Sequence, residues 1–165
     1  MFAKVKSVGV LGIEGYPVDV EVDISEGLPA FSIVGLPDAA VKESVDRVRG
    51  ALKNYGFSFP RKRITVNLAP CDLRKEGSSF DLPIAVGLLK ATGEIPPDAF
   101  PEALFCGELA LDGMIRPIPG ILPRAVSIGK FLGREFIVPR GNAFEAAIVQ
   151  KISVYAMRTL METVR

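Results

Sequence analysis

Between Tyr16 and Ile24 apolar and polar residues alternate without interruption: Tyr16, Val18, Val20, Val22 and Ile24 fall on one face of an extended chain, and Asp19, Glu21 and Asp23 on the other. A period of two marks a strand with one buried and one wet face. The stretch from Phe2 to Leu11 predicts a strand before it, joined through a hairpin connection over Gly12 to Gly15. Gly9, Gly12 and Gly15 suit that hairpin and miss the GxGxxG spacing of a dinucleotide loop. After a turn at Glu26-Gly27-Leu28-Pro29, a third strand is predicted from Phe31 to Val34.

The period then changes. Apolar residues recur at Val41, Val45, Val48, Leu52 and Tyr55, which predicts an amphipathic helix opening at Pro37-Asp38 and stopping at Gly56. Lys42, Asp46, Arg49 and Lys53 occupy its solvated faces. Alternation returns at Ile64, Val66 and Leu68. Ser78 or Ser79 ahead of Asp81 reads as a helix cap, for a helix from about Leu82 to Lys90. Beyond Pro96-Pro97, the pattern predicts a strand over Leu104 to Leu111 turning at Asp112-Gly113, and a helix over Leu122 to Phe131. A strand at Phe136 to Val138, a short helix near Ala143 to Val149 and a strand at Ile152 to Tyr155 follow. Three strands before the first helix, then alternating helices and strands, predict a single domain with a mixed α+β or α/β sheet. The helical pattern from Leu160 to Arg165 has neither cap nor stop, and predicts that more protein follows.

Composition narrows the chemistry. A chain of 165 residues buries a core without disulfides or metals. With 20 Lys and Arg against 19 Asp and Glu, the net charge of +1 supplies no global field for nucleic acid or an anionic membrane, so any such contact must be local. No signal-peptide core and no apolar run near the roughly 20 residues of a membrane span is present, which predicts a cytoplasmic protein without membrane contact. Histidine is absent, so a hydrolase here would need a lysine or carboxylate base. No GxxxxGK[ST] occurs, and Gly129-Lys130 lacks its flanking residues, so no P-loop nucleotide site is expected. Cys71 and Cys106, outside any CxxC or zinc spacing, read as two small buried hydrophobes.

Positive charge concentrates at Arg61, Lys62, Arg63, Arg74 and Lys75, on either side of the Ile64–Leu68 strand. This is a candidate phosphate-contacting edge. Solvated charge, or ion pairs with Glu76, Asp81 or neighbouring subunits, is the competing reading, because no aromatic residue is interleaved for base stacking. Asp72, Glu76 and Asp81 match no metal-loop spacing and read as surface or capping residues.

Several strings together carry a family resemblance: Gly27-Leu28-Pro29-Ala30-Phe31, Ile33-Val34-Gly35-Leu36-Pro37-Asp38, Arg63 through Pro70, Asp72 through Gly77, Phe80 through Ala85, and Gly107 through Gly113. In this order and spacing, the chain resembles the N-terminal Lon-protease-like, ChlI-type domain of the ComM/YifB family of magnesium-chelatase-like AAA+ ATPases, over nearly its whole length. The resemblance implies a fold like ribosomal protein S5 domain 2 and the Lon proteolytic domain, with residues 1–165 as one domain preceding an AAA+ module. ATP and magnesium would belong to that module and no cofactor to this domain. It also implies a homo-oligomeric ring, a hexamer, with DNA as a partner and a role in DNA branch migration and recombination during natural transformation.

Lon-type peptidases pair a serine with a lysine base. Aligning Lys75-Glu76-Gly77-Ser78-Ser79 with the family's nucleophile segment puts Ser79 at the nucleophile, while the segment Gly120-Ile121 puts Leu122 where the lysine would stand. Leucine cannot accept a proton, and Lys130 lies about two helical turns further on. The resulting reading is a non-proteolytic assembly and DNA-handling domain. A Ser-dependent Lon-like peptidase and a stand-alone anion-binding module are the alternatives.

Overall fold

The alternating stretches pair with one another. Strands β1 (Phe2–Leu11) and β2 (Glu14–Ser25) form an antiparallel hairpin in unbroken register from Phe2 opposite Asp23 to Leu11 opposite Glu14. Gly12 turns the chain there with φ +65°. The computed structural model describes residues 1–131 and 135–164, so Arg165, the last residue of the predicted C-terminal helical pattern, lies outside the described residues.

β2 also pairs antiparallel with β4 (Arg63–Ala69), and β4 pairs parallel with β3 (Ala30–Val34). On the other side β1 pairs parallel with β5 (Ala103–Phe105), followed by β8 (Glu135–Pro139) and β9 (Ser153–Met157), again parallel. The order is β3-β4-β2-β1-β5-β8-β9, a mixed and mostly parallel sheet. This is the mixed α+β arrangement expected from sequence.

Helices α1 (Ala39–Lys42), α2 (Ser44–Asn54) and α3 (Asp81–Ala91) belong to one face, where Val18, Val20, Val22, Ile64, Val66 and Leu68 point inward. The opposite face of β2 and β4 carries the half-buried Asp19, Glu21 and Asn67, which is why their hydropathy alternates. On that side, α4 (Ile121–Phe131) and α5 (Ala143–Ala147) cover Val8, Leu104, Phe136 and Val138. Strand β5 is therefore buried on both faces, and α3 is buried along its whole length. The chain ends in α6 (Leu160–Val164). No helix among the described residues is long and apolar enough to cross a membrane.

Three expectations need correction. The helix predicted from Asp38 to Gly56 divides at Glu43 into α1 and α2; Asp38 does cap α1, accepting from the Val41 N–H at 2.7 Å. The strand predicted over Leu104 to Leu111 breaks after Phe105, because Gly107 donates to Ser79 O at 2.9 Å and accepts from Leu82 N at 3.0 Å instead of continuing the sheet. Its remainder forms a small hairpin, β6 (Glu108–Leu109) with β7 (Ile115–Arg116). Of the two cysteines only Cys106 is buried; Cys71 is exposed.

Between β3 and α1 the chain passes over the end of β4. Gly35 has φ +103°, and a Cβ there would lie 2.2 Å from the Leu68 carbonyl oxygen, so only glycine fits. A second tie crosses the core at the start of α3. Asp81 is fully buried, and its carboxylate accepts from Ser44 Oγ at 2.5 Å, Arg47 Nε at 2.6 Å and the Leu109 N–H at 3.0 Å. It stands in the first turn of α3, as the sequence suggested, but is buried and bound instead of lying at the surface. Burial pushes its carboxyl above the usual carboxylate value, against the opposing pull of Arg47, Ser44 and the Leu109 N–H.

Removing that carboxylate strands a half-buried guanidinium together with two buried donors. Asp81→Ala is expected to cost about 3 kcal/mol of unfolding free energy, measured by urea titration. A loss within the scatter of surface substitutions would contradict the role assigned to this tie.

Candidate functional site

The loops leading into α3 and α4 border a common cavity of about 480 Å³, with Ser78 and Ser79 on one side and Ile118, Pro119, Gly120 and Arg124 on the other. Val10, Gly12, Asp38, Glu76 and Gly77 complete its lining. Asp38 fixes the Ser78–Ser79 loop, since its second carboxylate oxygen accepts from the Gly77 N–H at 3.2 Å while the first caps α1. From the other side Gly107 holds the Ser79 carbonyl.

Ser79 is 3% exposed and is not the helix cap expected from sequence. Phe80 occupies the cap position with φ −88° and ψ −3°, and no side chain bonds to the helix end. A capping hydroxyl requires extended backbone at its own residue. Here the turn before Asp81 is already wound, and the Ser79 hydroxyl is left to accept from Arg124 Nη2 at 3.2 Å.

Arg124 is the residue of this candidate site that sequence reasoning missed. Its Nε donates to Val8 O at 3.1 Å, and its Nη1 to Pro119 O at 2.7 Å and Gly120 O at 3.0 Å. Every acceptor is neutral, and no carboxylate among the described residues lies within ion-pair distance of it. A signal was available: Ile121, Arg124, Ala125 and Ile128 share one helical stripe, and an arginine within an apolar stripe needs buried acceptors.

The chemistry follows from the type of cation. A guanidinium stays protonated throughout the accessible pH range, so it can donate to Ser79 but cannot take its proton. Leu122, at the position expected of the base, is half-buried, and its backbone N–H donates to Glu145 at 2.9 Å. Lys130 is exposed near the far end of α4. Among the described residues, no group able to accept a proton contacts the Ser79 hydroxyl.

The five basic residues of the candidate phosphate edge do not form one surface. Arg61, Lys62 and Arg63 lie at the start of β4, whereas Arg74 and Lys75 follow its far end, roughly 20 Å away along the strand. Lys75 is a correction in its own right: it is fully buried, and its amine bonds to the Pro70 carbonyl. Burial lowers its pKa, partly offset by Cys71 and Asp72. Of the three acidic residues read as surface or capping groups, Asp72 and Glu76 are exposed, whereas Asp81 is bound to Arg47 in the core.

Arg61 and Lys62 instead join a second cleft of about 340 Å³, with Phe31, Arg49, Lys53 and Phe59. Phe31 and Phe59 stack with ring centroids 5.8 Å apart, and the Arg49 guanidinium lies 6.0 Å and 5.5 Å from their centroids. Aromatic surface is thus interleaved with the basic residues after all. Phe59, two residues before Arg61, was visible beside the basic run in the sequence and was passed over; only its meeting with Phe31, 28 residues earlier, needs the fold. Glu26 pairs with Lys62 at 3.0 Å and Asp46 with Arg49 at 3.8 Å, both at the surface.

The family described as subunit ChlI of Mg-chelatase matches residues 20–142. The chain is 44% identical to the competence protein ComM of Haemophilus influenzae over 155 residues, 94% of this chain and 30% of that protein. It is 46% identical to the uncharacterized protein YifB of Escherichia coli over 139 residues, 84% of this chain and 27% of that protein. A more distant likeness, 27% over 124 residues, links it to Lon protease 2 of Bacillus subtilis, covering 73% of this chain and 22% of that protein. The chain therefore spans less than a third of the length of the curated relatives it matches.

Two outcomes follow from this geometry. A fluorophosphonate probe should leave Ser79 unlabelled by intact-mass analysis; stoichiometric labelling would mean that a base reaches it. For Lys75, a folded-state pKa below the ordinary 10.5 means that its contribution to stability is complete above that value and is lost as pH falls through the folded value. The wild type should therefore gain stability relative to Lys75→Met as pH rises from neutral towards 10.5, in paired urea titrations. A pH-independent difference would show that the amine is not desolvated.

Proposed function

The chain belongs to the ChlI family of Mg-chelatase subunits, and from that premise we propose that it is a non-proteolytic assembly and DNA-handling domain of a magnesium-chelatase-like AAA+ ATPase. In this reading the full-length protein forms a homo-oligomeric ring, a hexamer, in the cytoplasm. The ring acts in DNA branch migration and recombination during transformation, with ATP and magnesium held by the AAA+ module. The domain's part is to contact DNA beside that ring.

The observation that carries the reading is the cleft in which Arg49, Lys53, Arg61 and Lys62 surround the stacked Phe31 and Phe59. Basic side chains neutralise phosphates without reading sequence, and the half-buried rings, stacked on each other beneath Arg49, hold those cations along one cleft, which suits a strand held without sequence preference. Arg74, beyond the far end of β4, and the buried Lys75 drop out of this surface. The pairing of Ser79 with a permanent cation supports the non-proteolytic half of the proposal.

Fluorescence anisotropy with a labelled single-stranded oligonucleotide tests it. Affinity should fall with salt, and Arg61→Glu with Lys62→Glu should flatten the log–log salt slope by about 0.7 for each phosphate no longer neutralised. Lys75→Met should leave DNA affinity unchanged. Binding insensitive to salt and to the Arg61 and Lys62 reversals would overturn the assignment.

A further inference from the structure

The Ser79 cavity offers more hydrogen-bond donors than the chain itself uses. Arginine has five N–H groups; in Arg124 the Nε–H and both Nη1 hydrogens are engaged by Val8, Pro119 and Gly120, and Ser79 takes one from Nη2. One N–H is left over. The Ser78 and Ser79 hydroxyls, which also line the cavity, donate to no acceptor among the described residues. Arg124 is itself 7% exposed and has no carboxylate within ion-pair distance among the described residues, so its direct partners are all neutral carbonyls and a hydroxyl, with Asp38 and Glu76 farther off on the same cavity wall.

A buried cation flanked by unused donors at the wall of a cavity is an anion site in its physical chemistry. The loops before α3 and α4 both border this space, while the first-turn N–H groups of Leu82 and Leu122 are already taken by the Gly107 carbonyl and Glu145, so the charge offered to a ligand is that of Arg124. Its volume of about 480 Å³ falls within the roughly 300–1,000 Å³ of small-molecule pockets. Val10, Ile118 and Pro119 supply an apolar wall.

We propose that this cavity binds the carboxylate of a small aliphatic acid, with Arg124 as counter-ion, the Ser78 and Ser79 hydroxyls as donors, and the aliphatic part against Val10, Ile118 and Pro119. The lining itself selects the type of anion. Asp38 and Glu76 border the same cavity, so a phosphate dianion or a nucleic-acid backbone meets two like charges there, whereas a single carboxylate leaves the balance with Arg124 less strained. The donor count agrees: one N–H and two hydroxyls suit two carboxylate oxygens. The site is separate from the Phe31–Phe59 cleft and stands independently of the DNA proposal.

The test is a calorimetric or NMR titration of the 165-residue chain with sodium acetate, sodium butyrate and inorganic phosphate, at ionic strength held constant with chloride. Saturable binding is expected in the order butyrate, acetate, phosphate. Ser78→Ala and Ser79→Ala should each weaken butyrate about fivefold, and Arg124→Gln should abolish binding. Because Arg124 also braces β1 and the loop before α4, the serine variants decide the matter if Arg124→Gln does not fold. Phosphate binding more tightly than either carboxylate, serine variants that titrate like the wild type, or shifts that never saturate would each overturn the proposal.

Discussion

The structure hangs on one carboxylate in the core. Asp81 has no solvent contact, yet it receives bonds from Ser44 and Arg47 of α2 and from the backbone of β6, while being itself the first residue of α3. A buried charge is tolerated only when its partners are in place, so this one fixes three elements at once. The Ser78–Ser79 loop enters α3 directly before it. Its position is therefore inherited from the core and not negotiated at the surface, and the Asp38–Gly77 and Ser79–Gly107 bonds complete the constraint.

Within that frame, what the Ser79 hydroxyl can do depends on the identity of the cation beside it. A desolvated lysine beside Ser79 could lose its proton and act as a base. Arg124 delivers a positive charge to the same hydroxyl from a comparably buried position, but a guanidinium keeps its protons. The Ser79 hydroxyl therefore meets a permanent cation and, among the described residues, no group that can take its proton.

How much of this could be read in advance depended on whether a residue's partner was close in sequence. Strands β1, β2 and β4 were legible because one wet face imposes a period of two, and Asp38 was legible as a cap because its partner Val41 is three residues away. Strands β5 and β6 were read as one continuous strand, since the break between them comes from Gly107 turning away to bond Ser79 and Leu82, and the two-residue β7 was not foreseen. Ser79 could be placed in its loop, but Arg124, 45 residues later, could not be placed beside it. The same limit made Asp81 look like an exposed cap and Lys75 an exposed contact, and it concealed the meeting of Phe31 with Phe59.

Strand β3 lies at the end of the sheet, with β4 as its one neighbour and its outer row of backbone groups open. An open edge invites another strand to add, and proteins discourage this with proline and lysine nearby. Pro29 precedes β3, and Arg61, Lys62 and Arg63 gather beside its first residues. Two copies approaching edge to edge would press these cations together, which disfavours polymerisation through the sheet.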